Sequence, residues 1–321
     1  MIYARMRPAL ASSCLVCVAA LAGSCGFFKT RNFTPDWATC TGDFTWRRGA
    51  SITDPRLTEI SGIVYSTTHE NIGWVHNDSG DTARVFAVDL ISGQVAGAYT
   101  LSGIDAYDWE DIAIHHDPSG GPSTIYIADT GDNFERREEA RIHAFVEPSV
   151  LAHAQVISQV ETMRVRFVQG PTNVECLTTL ADGTLVLASK PDRAETSLFS
   201  LGAFADGQVV TARAGDPISI RAAARPRSNR VTGCDFHPAS GRFVVRTYEH
   251  LLLFQPSDPA STSAIAASTP CIYATPDQYQ GESVAVDPTA PETLILLSEG
   301  TDQPILSVKL PAVREPDGSG A

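Results

Sequence analysis

Three glutamates and a scatter of aspartates recur at matched positions along the chain, and oxygen-rich sets of this kind suit hard divalent cations. Glu110, Glu175 and Glu282 each precede a short alternation. Ile112 and Ile114 follow Glu110 at plus two and plus four, Val284 and Val286 follow Glu282, and Leu177 with the polar Thr179 follows Glu175. Asp108 and Asp111 flank the first glutamate. Two related turns carry more acids and amides, Asn77-Asp78-Ser79-Gly80-Asp81 and Asp129-Thr130-Gly131-Asp132-Asn133, and Ser298-Glu299-Gly300-Thr301-Asp302 offers a third. Carboxylates gathered in one cavity repel one another and drift toward protonation. Ca²⁺ relieves that repulsion, because it accepts about six to eight oxygens from carboxylates, amides and water in irregular geometry. The expected metal ligands are Glu110, Glu175, Glu282 and Asp129, with Asp78, Asp111, Asp132, Asn133 and Glu299 as ligand-binding groups around them. The plainer reading is structural: Asp-x-Gly-Asp is a good turn sequence, and a Glu at a strand start can bond the amides of a neighbouring strand. The turns complete no EF-hand. A soft-metal site has little support, since His76, His115, His116 and His237 show no tight Cys/His spacing.

Something must bring these acids together, and the spacing says what. With Glu110 as position zero, the apolar offsets recur after Ser61 and Thr232 as well, so starts fall at 61, 110, 175, 232 and 282. Repeats of about 40 to 50 residues made of short strands are the mark of a β-propeller. The fold class is therefore all-β, a propeller of five or six four-stranded blades, with a sixth able to hide in the long step from 175 to 232. The last unit lacks a fourth strand. An N-terminal strand at residues 44–48 can fill that place and close the ring, which matters because an unfinished blade leaves an unpaired edge. Residues 147–159 read as an insertion, a short helix opened by Pro148. Residues 208–212 read as the fourth strand of the third unit, and residues 268–273 as that of the fourth. In such a ring, inner-strand starts and the loops joining second to third strands share one face, so the acids would converge there.

The 321-residue chain is 43% hydrophobic and carries a net charge of −13, from 37 acids against 24 bases. That balance argues against nucleic acid as a partner, whose phosphates reward Lys and Arg. Five arginines between residues 213 and 230 read as an exposed loop, or as a basic rim that could hold an anion. Residues 1–25 read as an export signal: Arg5 and Arg7 precede an apolar run too short to span a bilayer. Its end, Ala22-Gly23-Ser24-Cys25, resembles a lipobox, which would make Cys25 the lipidated N-terminus. A tether follows at 26–41, the propeller at 42–312 and a tail at 313–321. The expected location is outside the cytoplasm, lipid-anchored in the cell envelope or secreted. The membrane would be touched through the lipid alone. A monomer is expected, with a small molecule, glycan or protein as ligand. Beyond the signal and Cys25, the cysteines are Cys40, Cys176, Cys234 and Cys271, an even number that permits three connectivities. Cys40 with Cys271 is the expected disulfide. Cys176 and Cys234 read equally as a second bridge or as small buried apolar groups.

Asn77-Asp78-Ser79-Gly80, Asp108-Trp109-Glu110-Asp111, Asp129-Thr130-Gly131-Asp132-Asn133, Val231-Thr232-Gly233, Arg246-Thr247-Tyr248 and Gly281-Glu282 together resemble a group of exported bacterial propeller proteins. The resemblance covers roughly residues 55–310. It brings no activity with it. The group is similar in layout to the six-bladed SMP-30/gluconolactonase and phytase-like esterase propellers. In gluconolactonases, acidic and amide side chains from several blades hold a central Ca²⁺, which implies Glu110, Glu175 and Glu282 as ligands here. Ser61 and Thr232 depart from an all-acidic shell. Two functions follow: a binding propeller whose ion is structural or positions a ligand, or a metal-dependent hydrolase acting on an ester, lactone or phosphoester. In the second, a cation would polarise the reacting oxygen and acidify a water, with a carboxylate or His115 as base. No Gly-x-Ser-x-Gly elbow supports a serine hydrolase. Binding is the favoured expectation.

Overall fold

β-Branched and aromatic residues alternate with small ones through every repeat, a pattern that packs well on a pleated surface and poorly on a helix. The computed structural model describes residues 45–117, 119–191, 195–220 and 229–310. The stretches expected to be an export signal, a tether and a tail lie outside the described residues, as do Cys25 and Cys40. After β1 (Trp46–Ser51), blade one is β2 (Ile60–Tyr65), β3 (Ile72–Asn77), β4 (Arg84–Asp89) and β5 (Val95–Leu101). Next in the chain are β6 (Trp109–His115), β7 (Thr124–Asp129), β8 (Ala140–Val146), a short β9 (Gln155–Ile157) and β10 (Glu161–Phe167). Blade two is β6, β7, β8 and β10. The chain continues through β11 (Val174–Thr179), β12 (Leu185–Ser189), β13 (Glu195–Gly202), β14 (Val209–Ala212) and β15 (Pro217–Ser219). Blade three takes all of these except β14. Blade four is β16 (Val231–His237), β17 (Arg242–Thr247), β18 (His250–Phe254) and β19 (Cys271–Ala274), with a one-turn helix α1 (Thr262–Ala267) before its last strand. Blade five is β20 (Gln280–Asp287), β21 (Ala290–Glu299) and β22 (Pro304–Lys309), completed by β1.

Five blades are present, and the inner strands β2, β6, β11, β16 and β20 contact one another in that order and back to β2. No sixth blade is formed by the described residues of the 175–232 stretch. The ring is closed as expected: β1 pairs antiparallel with β22, Trp46 opposite Val308 and Arg48 opposite Leu306. Two expectations are corrected. The described structure of the 147–159 insertion includes no helix; it supplies β9, which runs parallel to β5 and adds a fifth strand to blade one. Within residues 208–212 a strand does form, β14 at Val209–Ala212, but it joins blade two by pairing parallel with β10, and β15 takes the outer place in blade three. Both swaps cover a neighbour's outer edge, which removes unpaired backbone.

Each pair of adjacent blades encloses its own apolar cluster. Trp74, Trp109 and Phe145 lie between blades one and two, Met163, Leu187 and Phe199 between two and three, and Phe236, Phe243 and Phe254 between three and four. Val244, Leu253 and Leu296 lie between four and five, and Ile63, Phe86 and Ile295 between five and one. The core is thus itself a ring, and each blade depends on both neighbours. Cys176 and Cys234 are joined by a disulfide across β11 and β16, with Cα atoms 5.1 Å apart, so the reading of this pair as free apolar groups is corrected. Cys271 is disulfide-bonded; Cys40, the partner expected for it, lies outside the described residues.

Removing the chain through Ser51 takes away β1 and exposes the edge of β22. The melting temperature is expected to fall by about 5 °C or more, the equivalent of a few kcal/mol in a domain of this size. An unchanged melting curve would mean that blade five is stable with three strands.

Candidate functional site: an acidic channel mouth

Every inner strand carries a bulge at the same place. Opposite the second strand of each blade, the pairing register jumps from Ile60 to Gly62, Trp109 to Asp111, Val174 to Cys176, Val231 to Gly233 and Gly281 to Ser283. The skipped residues are Ser61, Glu110, Glu175, Thr232 and Glu282, the five position-zero residues of the repeat. A bulge re-aims the side chain it carries out of the ladder. All five are buried, Glu110 and Glu282 at 3% exposure. A second set comes from the ends of the second strands and the residues just after them: Asp78, Thr130, Lys190, Tyr248 and Glu299. Bulge residues and strand-end residues together form the mouth.

Two halves of the mouth differ. On one side, carboxylate oxygens of Asp78, Asp108 and Glu110 all lie within 4.8 Å of one another. Gly131 presses against them: a Cβ there would stand 2.1 Å from Glu110 Oε1 and 2.4 Å from Asp108 Oδ2. On the other side, Lys190 Nζ is 2.8 Å from Glu175 Oε2 and 5.2 Å from the centre of the Tyr248 ring. Asn173 Nδ2 donates to Glu175 Oε1 at 3.0 Å. Gln280 Nε2 donates to Glu282 Oε1 at 2.7 Å and to Glu299 Oε1 at 2.8 Å, and Glu282 Oε2 is buried without a hydrogen-bond partner.

The electrostatics follow from burial and crowding. Burial, reinforced by Asp78 and Glu175, pushes Asp108 up to about 7. Burial and then Glu175 hold Glu110 well above the usual carboxylate range. Glu282 is pushed up to about 8 by burial although Lys190 pulls the other way, and burial with Asp78 and Glu59 nearby takes Glu299 up to about 7. Burial alone would lower Lys190, but Glu175, Glu282, Tyr248 and Glu110 outweigh it and hold its ammonium charged. Two cavities flank the mouth. One of about 590 Å³ is bounded by Asn133, Asn173 and Lys190, and one of about 370 Å³ by Tyr248, His250, Tyr279 and Gln280.

Among the expected metal ligands, Glu110 joins the carboxylate trio, Glu175 pairs with Lys190, and Glu282 sits by Gln280. Asp129 is engaged elsewhere, 2.9 Å from the Arg137 guanidinium; burial would raise it, but His143 and Arg137 outweigh that and hold it low. Asp132 caps its own turn, accepting from Arg137 N at 2.7 Å. Asn133 meets Asn173 at 3.4 Å, on the wall of the larger cavity. Asp111 accepts amides from Ile112, Leu177 and Cys234 at 2.9, 2.9 and 3.2 Å, and so fastens three inner strands beneath the mouth. Its grouping with Cys176 and Cys234 holds no metal-ligand promise, since both thiols are tied up in the disulfide. His115 ends β6, at the opposite end of the strand from Glu110, against Gly183. Lys190 escaped sequence reading altogether. Its one signal was position: it follows a second strand just as Asp78 does in blade one.

These features define a five-bladed propeller with an acidic, partly lysine-neutralised channel mouth. No family model matches the chain, and no curated protein matches its sequence. Among solved structures, the PQQ-bound aldose sugar dehydrogenase of Streptomyces coelicolor aligns with 85% of this chain and 100% of its own, at 13% identity and a TM-score of 0.47. A structure assigned as a gluconolactonase aligns with 86% of this chain and 96% of its own, at 11% identity and a TM-score of 0.46.

Two outcomes are expected. Asp108, Glu282 and Glu299 keep protons in the folded ring at pH values where the unfolded chain, with carboxyls near 4, has lost them. In the presence of chelator, the contribution of these groups to the melting temperature should therefore fall as pH rises from about 5 to about 8 and level off above, a trend that is shallower in Glu282→Gln. Gly131→Ala should cost about 1–3 kcal/mol in denaturant unfolding, because a new methyl group would overlap the buried Glu110 carboxyl and the half-buried Asp108 beside it.

Proposed function

We propose that this protein is an exported propeller, lipid-anchored through Cys25, whose channel mouth binds a hard divalent cation, Ca²⁺ before others, and a polar ligand beside it. The observation that carries the reading is the convergence of Asp78, Asp108 and Glu110 within 4.8 Å with no basic group hydrogen-bonded to them among the described residues. The donor set fits the ion: every candidate atom is a carboxylate oxygen, Glu110 is buried while Asp78 and Asp108 are half-buried and reachable from solvent, and Gly131 packs closely against Glu110 and Asp108. Asn133, Asn173, Gln280 and Tyr248 on the flanking cavities would hold hydroxyl, amide or carboxyl groups of a small molecule, a glycan or a protein side chain. The buried Cys176–Cys234 bridge supports an oxidising compartment outside the cytoplasm.

A second reading, metal-dependent hydrolysis of an ester, lactone or phosphoester, draws support from Glu282. Its free carboxylate oxygen and a pKa near 8 suit a general base. A cation in the trio would supply polarisation of the attacked oxygen. Glu282 would take the proton of a water, and Lys190 would orient an anionic substrate group.

Calorimetric titration of the chelator-treated chain from residue 26 onward tests the binding reading. Saturable Ca²⁺ binding that raises the melting temperature is expected. Glu110→Gln should weaken it by about tenfold or more, since ligand charge sets affinity in such sites. Glu70→Gln, on an exposed turn at the other end of blade one, should leave it unchanged. Equal effects from the two substitutions would remove the channel mouth from consideration.

A further inference from the structure

Among the described residues three aromatic rings are exposed, Tyr107 at 63%, Phe134 at 78% and Tyr279 at 78%, and all three stand on the mouth face. Each is held out by its surroundings. Phe134 rides a turn closed by Glu135 N donating to Asp132 O at 2.8 Å, with Glu135 at φ 49°, a left-handed conformation that L side chains rarely adopt. Arg137, paired with Asp129, lies 4.6 Å from the centre of the Tyr107 ring. Tyr279 lies against Gly300, where a Cβ would stand 3.3 Å from its Cδ1. Phe134 borders the larger cavity of the mouth and Tyr279 the smaller. Lys190 bounds the first and Tyr248 the second, and the ammonium is 5.2 Å from the ring centre, so the two cavities meet at that pair. A third cavity of about 490 Å³ shares Asn173 and Lys190 with the larger one and continues it along blade three.

The smaller cavity also has unmet hydrogen-bonding groups in its wall. Gln278 Oε1 accepts from Arg246 Nη2, which can only donate, so the amide cannot be turned over. Its Nε2 is thereby fixed as a donor, and it has no acceptor. Thr275 Oγ1 and His250 Nδ1, in the same wall, have no partner either. Polar atoms left unmet in this way are costly. Glu249 and Asp277 on that wall oppose an anionic ligand, and an ammonium could not accept from Gln278. A neutral ligand rich in hydroxyls satisfies both conditions. Single rings set apart by polar cavities do not make the contiguous apolar core of a protein interface, and the net charge of −13 opposes nucleic acid. They suit a ligand built of separate units, each with a flat C–H face and a polar edge. We propose that the rim is a groove for a neutral oligosaccharide, with sugar faces on Phe134 and Tyr279 and hydroxyls on the side-chain amides between them. This rests on the reading of the mouth as a ligand site, and it commits that site to an extended chain. Phe134 and Tyr279 are the specificity-determining residues, since each offers a stacking face that a ligand confined to one cavity would use singly.

The test is binding of the purified protein to an array of neutral, N-acetylated and uronate-bearing glycans graded from monosaccharides to long chains, run in Ca²⁺ and in chelator. Uncharged chains should bind more tightly than their own monosaccharides. Phe134→Ala and Tyr279→Ala should each weaken binding by about tenfold, the loss of one stacking face. Both rings are so exposed that melting should not change. Ile91→Ala, 70% exposed at the opposite end of blade one, should leave glycan binding as it was. No glycan bound, binding confined to monosaccharides or to uronates, or equal effects of Ile91→Ala and the two ring substitutions would each overturn the proposal. Glycan binding that persists in chelator upholds the groove while removing the cation from its function. Ca²⁺ binding without any glycan binding overturns the groove and leaves the cation site standing.

Discussion

One backbone irregularity, repeated five times, governs this molecule. A regular inner strand would alternate its side chains between the two inter-blade clusters, and no residue would turn toward the channel. The bulge at Ser61, Glu110, Glu175, Thr232 and Glu282 breaks that alternation at the first residues of each inner strand and turns one side chain per blade toward the mouth. The residues that resume the ladder, Gly62, Asp111, Cys176, Gly233 and Ser283, are small or hydrogen-bonded to neighbours, because inner strands meet closely there. A Cβ on Gly62 would lie 2.5 Å from His76 Nε2 and 2.9 Å from Ile112 N. The tight spot is then riveted. Asp111 ties three strands through amides, Ser61 Oγ donates to Glu110 O at 2.6 Å, and the disulfide joins blades three and four. The crowded acids above rest on this fastened layer.

The fold was legible because a propeller writes its period into the chain. Offsets of two and four after position zero are the pleat of the inner strand once the bulge is passed, so the repeat that organises the sequence is also the repeat that builds the mouth. The closing strand was legible from a deficit, the missing fourth strand of the last unit. What could not be read were the two edge additions, β9 and β14. They pair parallel with strands distant in the chain, and their sequences, Gln155-Val156-Ile157 and Val209-Val210-Thr211-Ala212, specify only that some strand forms, not where it docks.

The site was half legible for a related reason. Glu110, Glu175 and Glu282 share a position and were read as one set; Glu110 and Glu175 do interact, but each of the three also meets a different partner around the mouth. Asp78 comes to Glu110, and Lys190 comes to Glu175. Asp129 and Asp78 stand in similar turn sequences, one of which is followed by Arg137, and that single guanidinium converts Asp129 from a mouth acid into a paired one. Partners of this kind are set by three-dimensional approach and leave no spacing to find.

Whether the mouth acids are merely structural can be judged against a buried acid in the same ring that is. Glu147, at the opposite end of the molecule from Glu110, is 4% exposed, and its two oxygens accept from Ser66 Oγ, Thr67 N, Thr67 Oγ1, Thr68 Oγ1 and Trp74 Nε1 at 2.6 to 3.2 Å. Burial would raise it, but those donors outweigh burial and hold it below its ordinary value. This is how the chain treats a carboxylate whose task is to fasten loops: every lone pair is met, and the charge is welcome. The mouth is built the other way. Glu110, Asp108, Glu282 and Glu299 are all held above their ordinary values, one oxygen of Glu282 is unmet, and acids face acids where neutral residues of the same size would remove the repulsion. Burial also raises Asp111 and Asp235, but there the amides of neighbouring strands meet the carboxyl oxygens; at the mouth acids face acids, the kind of departure that concentrates where a ligand supplies what the fold withholds. The missing partner at this mouth is positive charge, and Lys190 supplies only part of it.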